Sequence, residues 1–182
     1  MSFMFSHCTL DNLDLSHFNT KTVNDMNNMF KSFKIITKKN KLDLSELNAS
    51  NVTNTSYMFC DCVLPDLDLS LFKTKKVENI EGLFYHSKIL SYKLDLSHLN
   101  FENVITMKSC FQNSFFKEIN ISKLDLKKCK YMNNMFANNN NLIKVDLTKC
   151  RTEDVLDMSH MFDKCINLTE IDLFSLNINN II

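Results

Sequence analysis

One glycine, one proline and no tryptophan stand among the 182 residues. An average chain of this length would carry roughly a dozen glycines and about nine prolines. With Gly82 as the single glycine, no GxGxxG, GxxxxGKS/T or GxSxG motif can be written. Dinucleotide-binding folds, P-loop enzymes and nucleophile-elbow hydrolases are thereby excluded. Among the 21 basic residues only Arg151 is an arginine, and 21 acidic residues bring the net charge to zero. That balance argues against a nucleic-acid partner, which would require a strong positive field. No stretch approaches the roughly 18 apolar residues of a membrane span. Met1 to Asn12 shows neither the basic start nor the apolar run of a signal peptide.

What is present is repetition, the first thing to seek in such a chain. The tetrapeptide Leu13-Asp14-Leu15-Ser16 returns at Leu42, Leu67 and Leu94. Weaker copies begin at Ile119, Val145 and Ile171. Successive starts lie 29, 25, 27, 25, 26 and 26 residues apart. Taking the first residue of each copy as position 0, position 5 is apolar (Phe18, Leu47, Phe72, Leu99, Leu124, Cys150, Leu176). Position 10 reads Val23, Val52, Val77, Val104, Cys129, Val155 and Ile181, and position 13 is mostly Met or Ile. Positions 16 and 17 read Met29-Phe30, Met58-Phe59, Leu83-Phe84, Cys110-Phe111, Met135-Phe136 and Met161-Phe162. The chain is therefore read as one solenoid domain over residues 1–182. Its six full repeats start at 13, 42, 67, 94, 119 and 145, with partial repeats at 1–12 and 171–182.

Two periods share each repeat. Positions 0 to 3 alternate apolar and polar, which predicts a short half-buried strand. Positions 10, 13, 16, 17 and 20 are spaced by three and four, which predicts one face of a short helix. Thr20, Thr74 and Thr152 at position 7 suit its N-cap. The expected fold class is an α/β repeat solenoid with one short parallel strand and one short helix per repeat. Asparagine, present 24 times and clustered at Asn138 to Asn141, is expected to fill left-handed positions that glycine usually takes.

The pattern LDLSxFxTxxVxxMxxMF resembles the BspA-like leucine-rich repeats, the bacterial surface-protein repeat of about 26 residues. Such repeats occur on surface proteins of bacteria, mycoplasmas and some parasitic protists. The resemblance implies a right-handed leucine-rich-repeat-like solenoid, a cell-surface or secreted setting and a role in adhesion or host contact. It implies no catalytic residues. This chain departs from the family in lacking a small Gly-Cys turn after the Met-Phe pair.

The candidate binding face is the outward side of the strands. Asp14, Asp43, Asp68, Asp95, Asp146 and Asp172 share position 1, interrupted by Asn120, and Ser16, Ser45, Ser70 and Ser97 follow at position 3. Stacked strands would set these carboxylates about 4.8 Å apart, where like charges repel. Two readings stay open: each Asp accepts hydrogen bonds from its own turn, or the column meets a basic or cation-bridged ligand. Lys31, Lys34, Lys38, Lys39 and Lys41 form a basic loop, with further lysines at 73, 75, 76, 127, 128 and 130.

Of the seven cysteines, Cys8, Cys62 and Cys165 share position 20, while Cys110, Cys129 and Cys150 sit at other apolar positions, so they read as buried free thiols. Cys60 falls outside this phasing. The five histidines do not cluster, and neither metal nor cofactor is expected. The function expected is a non-catalytic binding or adhesion module with a protein or glycan ligand. The alternative is an intracellular structural or scaffold segment whose open ends associate end to end with other copies.

Overall fold

The computed structural model describes residues 1–37, 41–177, 179 and 180. Lys38 and Lys39 of the basic loop lie outside the described residues, as do Ile178, Ile181 and Ile182. The chain winds into a parallel β-solenoid, with ten short strands among the described residues: β1 (Thr9–Leu10), β2 (Lys34–Ile35), β3 (Leu42–Asp43), β4 (Val63–Leu64), β5 (Leu67–Asp68), β6 (Lys88–Ile89), β7 (Lys93–Asp95), β8 (Glu118–Asn120), β9 (Lys144–Asp146) and β10 (Glu170–Ile171). They form three parallel sheets, ordered β1-β2-β4-β6, β3-β5 and β10-β9-β8-β7. Register follows the repeat: Leu42 pairs with Leu67, Leu94 with Ile119, and Ile119 with Val145. The first sheet lies at positions 21 and 22, which apolar–polar alternation at positions 0 to 3 does not predict. Conversely, Leu13 to Leu15 form no strand.

The helix expected in every repeat is absent: the described residues contain no α-helix. The backbone explains why. Met26, Asn28, Phe30 and Ser32 donate their N–H groups to carbonyls of Asn54, Ser56, Met58 and Cys60 in the next coil, at 2.7–3.0 Å. The amides of Met29, Lys31 and Phe33 instead donate three residues back, to Met26, Asn28 and Phe30. Amides thus alternate between the neighbouring coil and the local turn. A helix needs every amide for its own i−4 carbonyl, so it cannot form here. The same alternation recurs from Thr55 to Cys62, Ile80 to Ser87 and Met107 to Ser114.

Overlapping turns that close three residues back place apolar side chains at spacings of three and four, just as one helix face does. Two backbone columns make these turns work. Position 15 has positive φ in Phe3, Asn28, Tyr57, Gly82, Ser109, Asn134 and His160. Position 19 has it in His7, Ser32, Asp61, His86, Asn113, Asn138 and Lys164. Each is the third residue of a turn that demands the left-handed region. Asn138 takes that conformation as expected, whereas Asn139 to Asn141 do not.

Thr20, Thr74 and Thr152 are likewise not helix caps. Their buried hydroxyls bridge coils, accepting from the backbone N–H of Asn48, Asn100 and Asn177 at 2.7, 3.0 and 2.8 Å. Asn51, Asn103 and Asn180 add a parallel row, each donating to a carbonyl of the preceding coil at 2.7–2.8 Å.

Down the axis runs a phenylalanine column. The rings of Phe5, Phe30, Phe59, Phe84, Phe111, Phe136 and Phe162 stack with centroids 5.2–5.8 Å apart and planes within 13°. Phe33 and Phe116 meet it edge-on. Leu15, Leu44, Leu69, Leu96, Ile121 and Leu147 point inward from the strand side of the coil. Phe111 is fully buried between two rings, so Phe111→Ala is expected to cost about 3–5 kcal/mol in a denaturant titration. A loss below about 1 kcal/mol would contradict this packing.

Gly82 has φ +58, and a Cβ there would clash with the Tyr57 ring. Tyr57 leans over it with its hydroxyl 2.9 Å from Glu81. Gly82→Ala is therefore expected to lower stability by about 2 kcal/mol, combining the left-handed penalty with displacement of the ring. Adding Tyr57→Ser should recover part of that loss in the same titration.

Candidate functional site

The carboxylate column is built from short turns. Asp14, Asp43, Asp68, Asp95, Asp146 and Asp172 each accept, at 2.9 Å, the backbone N–H two residues on. These donors are Ser16, Ser45, Ser70, Ser97, Thr148 and Phe174. Such Asx turns end β3, β5, β7 and β9, follow β10, and steer the chain around the corner. Asn120 does the same with Ser122, also at 2.9 Å. The serines therefore contribute chiefly their amides.

The sheets do not hold all six carboxylates together. Asp43 and Asp68 are registered neighbours on β3 and β5. Asp95, Asn120 and Asp146 are registered on β7, β8 and β9. Asp68 and Asp95 end strands of different sheets, and Asp14 follows no strand.

Ahead of this row stands a second charged column that escapes the LDLS motif. The residue just before each copy from Leu42 on is Lys41, Asp66, Lys93, Glu118, Lys144 or Glu170, while Asn12 precedes the first. Lys93 pairs with Glu118 at 2.8 Å and Lys144 with Glu170 at 2.9 Å. Lys41 reaches Asp68 at 2.8 Å and Asp43 at 3.9 Å. Alternation of sign at this position pairs neighbouring coils with one another, and Lys41 also meets the carboxylate row.

Hydrogen bonding also sets the carboxylates' acidity. The Ser16 and Ser45 turns hold Asp14 and Asp43 below the ordinary aspartate range. Lys41, followed by Ser70, holds Asp68 far below it. At Asp95 burial pushes upward, but Ser97 and the neighbouring groups bring the net shift down. Lys41 and Lys144 are raised by their hydrogen bonds to Asp68 and Glu170.

The cysteines are free thiols. Cys62 donates to the carbonyl of Phe30, Cys150 to Ile121 and Cys165 to Phe136, so these thiols tie coils together. Burial raises Cys129 to about 12 and Cys150 to about 11. Cys60, though out of phase, is only 3% exposed. Burial first, then Asp61, raises it to about 12. All of these sulfurs stay protonated at neutral pH, which removes their nucleophilic form. Among the described residues no group of three His, Cys, Asp or Glu is disposed to hold a metal ion. His86 pairs with Asp61 at 2.7 Å on the exposed turn edge. No helix is long and apolar enough to cross a membrane among the described residues.

With the repeat geometry in view, comparison with known proteins gives a family. The profile of the family described as "Mycoplasma protein of unknown function, DUF285" matches residues 1–120 and again 87–182. The chain belongs to this family. No curated protein and no solved structure matches it. Both family matches cross the coils that carry the carboxylate column, so the column belongs to the family's repeat region in this chain.

A carboxylate held below its ordinary value of 3.8 favours the folded state above that pH. The contribution is lost as pH falls through the lowered values. Thermal melts should therefore show stability declining below about pH 4. In a variant carrying Asp14→Asn, Asp43→Asn, Asp68→Asn and Asp95→Asn that decline should be shallower. Parallel acid limbs in the two proteins would rule out these carboxylates as its source.

Proposed function

We propose that this chain is a non-catalytic binding module of a surface-type repeat protein, with the polar strand face as its contact surface. Its role is adhesion, and its ligand is a protein or glycan. The observation that carries the reading is the Asx-turn column. Each carboxylate at position 1 spends one acceptor site on its own turn at 2.9 Å. An ionised carboxyl offers about four lone-pair sites, so acceptor capacity remains on groups whose orientation is already fixed. Fixed groups lose little side-chain entropy when a ligand arrives. The lowered pKa of Asp14, Asp43, Asp68 and Asp95 keeps these four charged at any physiological pH.

Support also comes from the shape of the array. Stacked coils present a continuous surface that a long ligand can follow, in the manner of repeat proteins that bind along one face. The resemblance of LDLSxFxTxxVxxMxxMF to BspA-like surface repeats supports a setting outside the cell.

Asn120 supplies the control for a test, because it keeps the same 2.9 Å turn without the charge. The triple variant Asp43→Asn, Asp68→Asn, Asp95→Asn should therefore fold, with a melting temperature within about 4 °C of wild type. On a glycan array, and against an immobilised oligolysine peptide, it should lose the binding that the wild-type chain shows. Equal binding by both proteins would remove the strand face from the ligand site.

A further inference from the structure

Beside the strand face, the coil turns outward through positions 3 to 9 and leaves a groove along the array. Two adjoining cavities of about 420 and 480 Å³ make it, and both are lined by Leu71 and Lys73. The first adds His17, Lys21 and Glu46, and the second adds Lys75, Lys76 and His98. Four lysines thus face one carboxylate, Glu46. None of the position-1 aspartates lines either cavity.

The lysines differ in how far they are already engaged. Lys75 lies 3.9 Å from Glu102, with both side chains well exposed, and Lys76 donates to the Asn51 side-chain oxygen at 2.7 Å. Lys21 and Lys73 make no ion pair among the described residues. Leu71, where two other copies place His17 and His98, is 64% exposed. Its apolar side chain stands between the cationic groups at the junction of the two cavities.

The same positions further along the array carry a different charge. There a third cavity of about 370 Å³ is lined by Glu102, Asp125 and Asp154 as well as Lys127 and Lys128. The cationic excess therefore comes from the coils starting at 13 and 67, which supply Lys21, Lys73, Lys75 and Lys76, and is not a property of the repeat.

We propose that this groove binds an extended acidic peptide segment that carries an aliphatic side chain between its carboxylates. The carboxylates would meet Lys21 and Lys73, and the aliphatic group would cover Leu71. Four coils at about 4.8 Å spacing span roughly 14 Å, the length of about four extended residues. An anionic polysaccharide shares the charge but has nothing to place on Leu71, and the aromatic rings lining the groove, Phe18 and Phe72, are packed into the wall. The surface is distinct from the strand face, and its ligand is of opposite charge.

Fluorescence anisotropy with a labelled hexapeptide of four glutamates and two leucines tests the assignment. Hexaglutamate, a lysine–leucine hexapeptide and a sulfated oligosaccharide serve as comparisons. The mixed peptide should bind saturably below about 1 mM, more weakly as salt rises, and more tightly than hexaglutamate. The lysine–leucine peptide should not bind. Lys21→Glu with Lys73→Glu should weaken the mixed peptide by about tenfold or more. Lys127→Glu with Lys128→Glu should leave it unchanged. Leu71→Ser, a change at an exposed side chain, should weaken the mixed peptide and leave hexaglutamate unaffected, which keeps the test intact should the double charge reversal fail to fold. No saturable binding, equal losses in the two lysine pairs, or tighter binding of the sulfated oligosaccharide would each overturn the proposal. The triple aspartate variant should retain peptide affinity, so failure here and failure of the strand-face reading are separately visible.

Discussion

Between positions 13 and 20 of each coil, every second amide leaves its own segment and donates to the coil beside it. Met26, Asn28, Phe30 and Ser32 do so in one coil, and Met107, Ser109, Phe111 and Asn113 in another. The intervening amides close turns within the coil. Neither set suffices alone: single turns are unstable in water, and a lone coil has no partner for its outward donors. Stability therefore resides between coils, and the repeat length is constrained because each donor must find a carbonyl at the same height. The variable segment falls elsewhere, between position 22 and the start of the next copy, where spacing changes without breaking the exchange.

That arrangement fixes the side-chain columns. Residues that donate outward sit directly over their counterparts, so Phe30, Phe59, Phe84, Phe111 and Phe136 must stack ring on ring. It also demands left-handed backbone at positions 15 and 19 in coil after coil. Only Gly82 meets that demand without a side chain. Asn28, Asn113, Asn134 and Asn138 meet it at modest cost, because a short amide side chain tolerates the region. Phe3, Tyr57 and Lys164 have no such excuse, each costing of order 1–2 kcal/mol. The inter-coil and turn bonds together over-determine these residues: Tyr57 donates to Glu81 of the next coil and Met58 closes on Thr55 across it, whether or not Tyr57 favours the conformation. The scarcity of glycine is thus offset by repetition of the ladder.

The sequence carried the phase of the repeat plainly, since the recurrence of Leu-Asp-Leu-Ser and Met-Phe needs no structural assumption. The buried phenylalanine column followed from that phase. The helix did not survive, because turns that close three residues back generate the same apolar spacing as a helix face. The distinguishing feature, left-handed residues every fourth place, is normally announced by glycine, and here it is disguised as Tyr57, Ser109 or His160. The strands at Lys34–Ile35 and Lys88–Ile89 were hidden for a related reason: two residues are too few for alternation to register. At the strand face the aspartates were legible as a column. The charge ladder beside them was legible only by reading one residue upstream, where Lys41 faces Asp43 and Asp68 and where Lys93, Glu118, Lys144 and Glu170 alternate and pair with one another. The groove was not legible at all, since it depends on Lys21 and Lys73 from different coils lining one cavity.

Division of labour within the coil explains where specificity can be written. Positions 2, 10, 13, 16 and 17 are bound to the core, and change there costs stability. Position 1 is bound to its turn, and only Asp or Asn satisfies it. Positions 4, 6, 8 and 9 have neither obligation in every coil. They read His17, Glu46, Leu71 and His98 in one column and Lys21, Ser50, Lys75 and Glu102 in another. A face whose residues differ from coil to coil while the backbone beneath it stays constant can encode a ligand's sequence, whereas the uniform aspartate column can only encode its charge. The two surfaces thus differ in kind: the strand face repeats, and the groove varies from coil to coil.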